Sequence, residues 1–303
     1  MNETKVSIVM ATYNRAHTLP RAIGSVLQQT CDQWELIIVD DGSTDGTQEL
    51  LSQYVDPRIV IVSNPHNMGV AASRNRGLDI MKGEWFTLLD SDDEMVPVAL
   101  ATLLDVPRQV DPRIDAVTCN CIDSVSGLFT GKGLDHDQWV DYAKLVGQCS
   151  GEHWGLTKSA LLGEVRFHEE LSWGESIVWY QISKSAYRYY IHQGLRIYHT
   201  QGTDRLCQKT TSKSIESKYT FYRYLSEEDE YLHTLKTYRP NDYSELMMRI
   251  ALVQIIDGKQ NAARTTIRAG KPYWNLMQFL SIQIALMVGA QGLRTLLPKL
   301  TNY

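Results

Sequence analysis

Three carboxylates stand within four positions of "LLDSDD", residues 88–93: Asp90, Asp92 and Asp93. Fully ionised, they repel one another. Two physical arrangements make such a cluster tolerable. A hard divalent cation binds carboxylate oxygens and keeps its other positions for phosphate oxygens or water. Alternatively, the cluster is a solvated acidic turn that caps the following helix. On the motif alone the acidic turn is the commoner meaning. Other residues able to do chemistry lie far away in sequence: Tyr13, Asn14 and Arg15 in "ATYNR", Asp40 and Asp41 in "VDDGS", Arg74 and Asn75 in "SRNRG", His153 and Trp154 in "GEHWGL", Trp173 and Glu175 in "SWGES", and His199 and Arg205 in "YHTQGTDRL".

Positioning them together requires a scaffold, and the hydrophobic pattern supplies one. "KVSIVMATYN", "WELIIVDD", "RIVIVSNP" and "EWFTLLD" are short apolar runs that end in polar residues, the signature of buried parallel strands. Between them, "LPRAIGSVLQQ", "TQELLSQYV" and "GVAASRNRGLDIMKG" have helical spacing, with Gly83 expected as a C-cap of the last. The succession β-α-β-α-β-α-β predicts an α/β domain with a mostly parallel, helix-covered sheet. Ligands of such sheets sit at the carboxyl ends of the strands. The loops carrying Thr12–Arg15, Asp40–Ser43 and Asp90–Asp93 all fall there.

Further along, "DAVTCNCIDS" reads as a strand, "GKGLDHDQWV" as a loop, "SWGESIVWYQISK" as a loop turning into a helix, and "YYIHQGLRIYHT" as one or two strands. From about residue 211 only helices are expected, which divides the chain into a domain of residues 1–210 and a helical region of 211–303. Asp242 and Glu245 suggest a capping box before "LMMRIALVQII", ended by Asp257-Gly258, with another helix closing near Gly270.

A chain of 303 residues with 43% hydrophobic and 21% charged residues can bury a large core. Its net charge of −5 gives no reason to expect a nucleic-acid partner. The five cysteines, Cys31, Cys119, Cys121, Cys149 and Cys207, show neither a dense disulfide framework nor zinc spacing, so a reducing, cytoplasmic setting is expected. The polar start before "VSIVMATYN" does not read as a signal peptide, and that apolar run is too short to span a bilayer.

The segment 258–303 holds six basic residues and no acidic one. Within it Phe279, Ile282, Leu286, Ala290, Leu293 and Leu297 form a helical stripe, widened by Leu280, Ile284 and Met287. Such a face suits an anionic membrane surface. It equally suits a core-packing helix or a dimer interface, because periodicity does not separate these.

Taken in order, "SIVMATYNR", "LIIVDDGSTDGT", "NMGVAASRNRGL", "GEWFTLLDSDDEM" and "LSWGESIVW" strongly resemble the family 2 glycosyltransferases of GT-A (Rossmann-like) fold, over roughly residues 5–200. The resemblance implies a nucleoside-diphosphate sugar donor, most often UDP-linked, a glycan or lipid-linked glycan acceptor, Mn²⁺ or Mg²⁺, and inversion at the anomeric carbon. It places the ring of Tyr13 on the base, Asp41 beside Asp40 as the base's hydrogen-bond acceptor, and main-chain contacts at Ala11 and Thr12. Asn14, Arg15 and Ser91 belong to the same donor-binding loops. Asp90 is assigned to the ribose and sugar side, Asp92 to the metal, and Asp93 to a supporting position or to capping the next helix.

Arg74 either approaches the nucleotide or pairs with Asp45 or Asp90. His153, Trp154 and Trp173 fall where the family builds its acceptor or sugar pocket, although a buried core tryptophan is the commoner meaning of either indole. Arg205 is in place to close over the diphosphate, and His199 is a candidate further metal ligand. Glu175 is the candidate general base.

One departure bears on the reaction. The family carries an acidic pair after a glycine at the start of a helix, and here "WGES" places Ser176 at the second acid. The expected function is therefore metal-dependent transfer of a hexosyl or N-acetylhexosaminyl group in surface polysaccharide assembly, at the inner face of the membrane. The alternative is a nucleotide-sugar-binding protein impaired in turnover. A sugar-phosphate nucleotidyltransferase is disfavoured, because "MATYNRAHT" lacks a glycine-rich phosphate loop.

Overall fold

The computed structural model describes residues 5–171, 175–201 and 212–273, together with 280, 282–287 and 289. Trp173, Arg205 and Cys207 lie outside the described residues, as do Phe279, Ala290, Leu293 and Leu297 of the tail stripe. The chain forms two compact units, residues 1–145 with 149–205 and residues 146–148 with 206–303.

The first unit is built on a nine-stranded sheet. Strands β1 (Val6–Thr12), β2 (Trp34–Asp40), β3 (Ile59–Ser63) and β4 (Trp85–Leu88) run parallel in the order β3-β2-β1-β4. Their register is regular: Val6 pairs with Trp34 on one side and with Trp85 on the other. Alternate residues of β1 feed two cores, as a strand period of two requires. Val6, Ile8 and Met10 pack with Leu19, Ala22, Ile23 and Val26 of α1 (Leu19–Leu27) and with Leu100 and Leu103 of a helix over Ala99–Gln109. Val9 instead packs with Ala71 and Leu78 of a helix over Val70–Ile80. Both faces are thus covered, which explains the unbroken apolar runs of β1 and β2.

Here α2 is Thr47–Leu51, α3 is Val70–Ile80 and α4 is Ala99–Gln109. The sheet continues from β4 through pairs that are antiparallel with one exception. β5 is the short Glu94–Met95, β6 is Ala116–Asp123, β7 is Gln138–Trp139, β8 is His153–Lys158 and β9 is Arg188–Tyr198. The full order is β3-β2-β1-β4-β8-β6-β9-β5, with β7 on β9. β6 and β9 are parallel, with register shifts between Thr118 and Cys121. "YYIHQGLRIYHT" is therefore a single strand, and the expected loop "GKGLDHDQWV" contains the two-residue β7. α5 (Tyr142–Gln148) and α6 (Ser176–Ser183) complete the series through β9.

Two glycines set how closely these elements approach. A Cβ on Gly77 would lie 2.4 Å from Val9 Cγ1, so glycine lets α3 pack tightly on β1. Gly83 is not the expected C-cap: α3 ends at Ile80, and Met81 follows in extended conformation. A Cβ on Gly83 would lie 2.5 Å from the Ser7 main-chain nitrogen, so its role is close approach to β1. Cys119 and Cys121 are fully buried, and burial pushes the Cys121 thiol up to about 12. They are small core residues.

The second unit is helical: α7 (Ser212–Leu225), α8 (Asp229–Tyr238), α9 (Pro240–Ile256) and α10 (Gln260–Gly270). α9 begins at Pro240, before Asp242, and its cap position is Arg239 without a side-chain cap bond, so the capping box does not form. Its end is as expected, with Gly258 at φ +74°. In the tail, Ala285 and Leu286 join the core of Ile255, Ile256 and Ala263, and Ile282 is also buried. Leu280, Ile284 and Met287 remain exposed. One side of the tail helix therefore packs into its own unit, and the other is an open apolar face. No helix among the described residues is long and apolar enough to cross a membrane.

Candidate active site

The order of the sheet reverses at β1: the chain goes from β1 outward to β2 and β3, then returns to place β4 on the other side. This switch point opens a crevice at the strand ends, where ligands of such sheets bind. The loops after β1, β2 and β4 meet there.

Direct hydrogen bonds lock the first two loops together. The Asn14 main-chain nitrogen donates to Ser43 Oγ (2.9 Å), and the Thr44 nitrogen donates to Asn14 Oδ1 (2.7 Å). The Arg15 nitrogen donates to Thr47 Oγ1 (3.1 Å). Asn14 holds φ +53°, a conformation asparagine tolerates better than most residues. Tyr13, between these anchors, is 41% exposed, which leaves its ring face open for stacking. The main chain of Thr12 is occupied, its carbonyl accepting from the Asp41 nitrogen (2.8 Å). The Thr12 hydroxyl is buried without a partner among the described residues.

Asp40 and Asp41 are both buried and both committed. Asp40 accepts from the Ser43 nitrogen (3.2 Å) and from Gln48 Nε2 (2.9 Å), which shapes its own turn. Asp41 accepts from Asn64 Nδ2 (2.7 Å) and from the main-chain nitrogens of Met68 (2.9 Å) and Gly69 (2.8 Å). A carboxylate has about four acceptor positions. Asp41 uses three of them to hold the turn that starts α3.

The acidic loop after β4 is neutralised by the protein's own arginines. Arg74 of α3 donates through Nη2 to Asp90 Oδ1 (2.8 Å) and through Nη1 to Glu175 Oε2. Arg196 of β9 donates to Asp90 Oδ2 (2.7 Å) and to Asp93 Oδ2, the latter through Nε (2.8 Å) and Nη2. Asp93 Oδ1 accepts from the His199 nitrogen (2.9 Å). Burial pushes the Asp90 carboxyl up, but the guanidiniums of Arg196 and Arg74 overcome it and hold it at about 2. Asp93 is shifted the other way: its burial, added to the neighbouring Asp90, outweighs Arg196 and raises it. Asp90 and Asp93 therefore tolerate one another through the guanidinium of Arg196, which they share, and that of Arg74, which holds Asp90. Between the alternatives for Arg74, the structure selects Asp90, with Glu175 as a second partner.

Asp92 is different. Its side chain accepts no hydrogen bond among the described residues, and its nearest cation is Arg15, 3.9 Å away. Its main-chain oxygen accepts from Arg21. An oxygen ligand held in place yet uncommitted fits a hard cation that draws its remaining ligands from phosphate and water. Asp90, with both oxygens on arginines, does not present itself in this way. His199 Nε2 lies 2.7 Å from Glu94 Oε1, which also lies 3.4 Å from Arg21 Nε. No group of three or more metal-ligating side chains occurs among the described residues.

On the opposite wall, Trp154 is buried and donates through Nε1 to the Leu88 carbonyl (2.8 Å), clamping β8 to β4. It serves the core and offers no open sugar platform. His153 packs edge-on to Tyr190 (centroids 6.0 Å apart), and its Nε2 is buried without a partner among the described residues. Burial, followed by the charge of Arg188, lowers the His153 pKa. Asn75 is structural: it donates to the Phe167 carbonyl (2.9 Å) and accepts from the Phe167 nitrogen (2.8 Å). Glu175 stands at the start of α6 with its side chain 48% exposed.

Two site residues were not singled out in the sequence. Arg196 was legible in principle, because an arginine between Leu195 and Ile197 on a buried strand demands a carboxylate partner. Glu152, just before β8, had no such signal.

The fold and site define an α/β protein with an arginine-locked acidic loop at its switch point. Residues 7–139 match the model for "Glycosyl transferase family 2". Over those residues the chain is similar to that family. A *Campylobacter jejuni* protein named GalNAc(5)-diNAcBac-PP-undecaprenol beta-1,3-glucosyltransferase is 34% identical over 202 residues, 64% of this chain and 64% of its own length. The match thus spans just under two thirds of that relative. Among solved structures, *S. aureus* TarS 1–349 in complex with UDP-GlcNAc aligns with TM-score 0.61 at 16% identity, covering 90% of this chain and 93% of its own. The mannosyltransferase PcManGT from *Pyrobaculum calidifontis*, in complex with GDP-Man and Mn²⁺, aligns with TM-score 0.57 at 18% identity, covering 97% and 83%. At these identities the likeness establishes the GT-A fold.

Proposed function

We propose that the protein is an inverting glycosyltransferase that moves a sugar from a UDP-sugar to a glycan or lipid-linked glycan in surface polysaccharide assembly. The observation that carries this reading is the division of labour in the acidic loop. Asp90 and Asp93 are held by Arg74 and Arg196, while Asp92 alone is left open at the crevice. In this reading Tyr13 stacks on the base, and Asp90 and Arg74 form the wall against the ribose and sugar. Asp92 holds Mn²⁺ or Mg²⁺, which when bound neutralises charge on the departing diphosphate. Arg15 lies beside Asp92, where it adds positive charge to the diphosphate side. A carboxylate on the acceptor side takes the hydroxyl proton as the oxygen attacks the anomeric carbon. Glu175 is the one supplied by the sequence pattern.

The name of the *C. jejuni* relative favours a glucosyl donor and a polyprenyl-linked acceptor. The open face of Leu280, Ile284 and Met287, in a segment rich in cations, supports peripheral attachment at the cytoplasmic face of the membrane. A second reading, binding without turnover, is favoured by Ser176 and by the engagement of Glu175 with Arg74.

The test is a thermal-shift and turnover panel of uridine, guanosine and thymidine diphosphates and their sugars, with and without Mn²⁺. A donor at 100 times its Kd stabilises by about 2.7 kcal/mol. The expected result is a Mn²⁺-dependent upward shift with UDP-sugars and release of UDP. No shift with any nucleotide refutes the reading, and a shift without transfer or hydrolysis supports the second one.

A further inference from the structure

Glu152 lies outside every element that the nucleotide-binding pattern accounts for. It immediately precedes β8, and β8 runs antiparallel to β4, pairing Phe86 with Thr157 and Trp85 with Lys158. The start of β8 therefore lies at the end of the sheet where β4 delivers Asp90. The clamp from Trp154 to Leu88 and the bond from Thr130 Oγ1 to the Glu152 carbonyl (2.9 Å) fix this stretch on both sides. The Glu152 side chain is partly buried. Among the described residues its carboxylate accepts no hydrogen bond and closes no ion pair. A carboxylate drawn partly out of bulk water and left unpaired keeps its oxygens free for a ligand or a proton.

Glu175 is in a different state. Arg74 occupies Oε2 and ties it to Asp90. That oxygen is committed to the guanidinium and is not free for another donor. The position after it, where a second acid is expected, is Ser176.

We infer that Glu152 is the second acid of the acceptor side: it accepts the proton of the attacking hydroxyl, while Glu175, held by Arg74, orients that hydroxyl. The acceptor oxygen forms its bond to the anomeric carbon as the bond to the diphosphate oxygen breaks. That electron pair leaves with the nucleoside diphosphate, and the hydroxyl proton passes to a Glu152 oxygen. The inference rests on the glycosyl-transfer reading. The electrostatics agree with it. Burial raises the Glu152 pKa, Arg196 lowers it, and the carboxylates of Glu175, Asp90 and Asp93 raise it again, with a net upward shift. The remaining titratable neighbour, Cys121, is pushed up to about 12 and stays neutral. A base raised toward the working pH is the more effective one.

The experiment compares wild type, Glu152→Gln and Glu175→Gln for UDP release from UDP-glucose and UDP-N-acetylglucosamine with Mn²⁺, water serving as acceptor. UDP affinity is measured in parallel by calorimetry. Glu152→Gln is expected to bind UDP within about twofold of wild type and to lose on the order of 10²–10⁴-fold in kcat, the usual worth of a general base. It should also flatten the acidic limb of the wild-type pH–kcat profile, a change that a merely structural role does not produce. Glu175→Gln is expected to keep that limb. Wild-type turnover with Glu152→Gln within about threefold and an unchanged limb overturns the assignment alone. A wild type that releases no UDP overturns the transfer reading and the assignment together.

Discussion

Arg196 makes the sharpest prediction. Its side chain is 8% exposed, that of Asp93 is 1% exposed, and that of Asp90 is 40% exposed. Replacing Arg196 with methionine keeps most of the packing but leaves Asp93 buried without its counter-charge, while Asp90 keeps Arg74 and access to water. Removing one partner of a buried pair costs about 3–5 kcal/mol. For a unit of this size that is on the order of 10 °C in Tm. The cost depends on pH with a definite sign. Asp93 is already raised by burial and by Asp90, and losing Arg196 raises it further. A carboxylate whose folded pKa exceeds its unfolded value loses stability as pH rises above the unfolded value, about 3.9, until the folded pKa is passed. The deficit of Arg196→Met should therefore be largest at neutral pH and shrink toward pH 4, where Asp93 takes a proton. Adding Asp93→Asn should recover much of it, which a double-mutant cycle in urea measures directly. A deficit below about 1 kcal/mol at pH 7, or one that does not change with pH, refutes the reasoning.

Three further outcomes follow from the same geometry. Asp92→Asn should unfold within about 0.5 kcal/mol of wild type, because its side chain has no close partner among the described residues, yet lose the Mn²⁺-dependent part of the thermal shift with UDP; an unchanged shift refutes its metal role. Asn75→Ala should cost about 1–3 kcal/mol in urea unfolding, because it strips both main-chain groups of Phe167 of their partner; a neutral result contradicts that pairing. Ile284→Glu with Met287→Glu, both at exposed positions, should leave Tm unchanged and reduce co-sedimentation with phosphatidylglycerol vesicles; a wild type that does not sediment removes the membrane proposal.

The sequence by itself determined the scaffold and the convergence of the loops. β1 to β4 and α1 to α3 were legible because each is short, apolar and bounded by polar turns, and a parallel sheet sends such turns to one edge. The expectation of a separate role for Asp92 came from the family resemblance, since the acidic motif alone reads as a turn. What stayed hidden is what depends on partners distant in the chain. Arg196 is 103 residues from Asp93, and Glu175 is 101 from Arg74. Local periodicity carries no record of such pairings, so the sequence left a metal ion and an acidic turn both open, and the structure pairs Asp90 and Asp93 with two arginines. The same holds for Asp41, whose three donors come from a turn 23 to 28 residues away, and for Trp154, whose indole closes on the Leu88 carbonyl. Glu152 is the extreme case. Nothing around it in the chain distinguishes it from a surface glutamate, and only the antiparallel return of β8 beside β4 puts its carboxylate among the charges of the site. Which carboxylates are spent on the fold and which are left for chemistry was decided by tertiary structure, because a hydrogen bond, once made across the sheet, withdraws that oxygen from everything else.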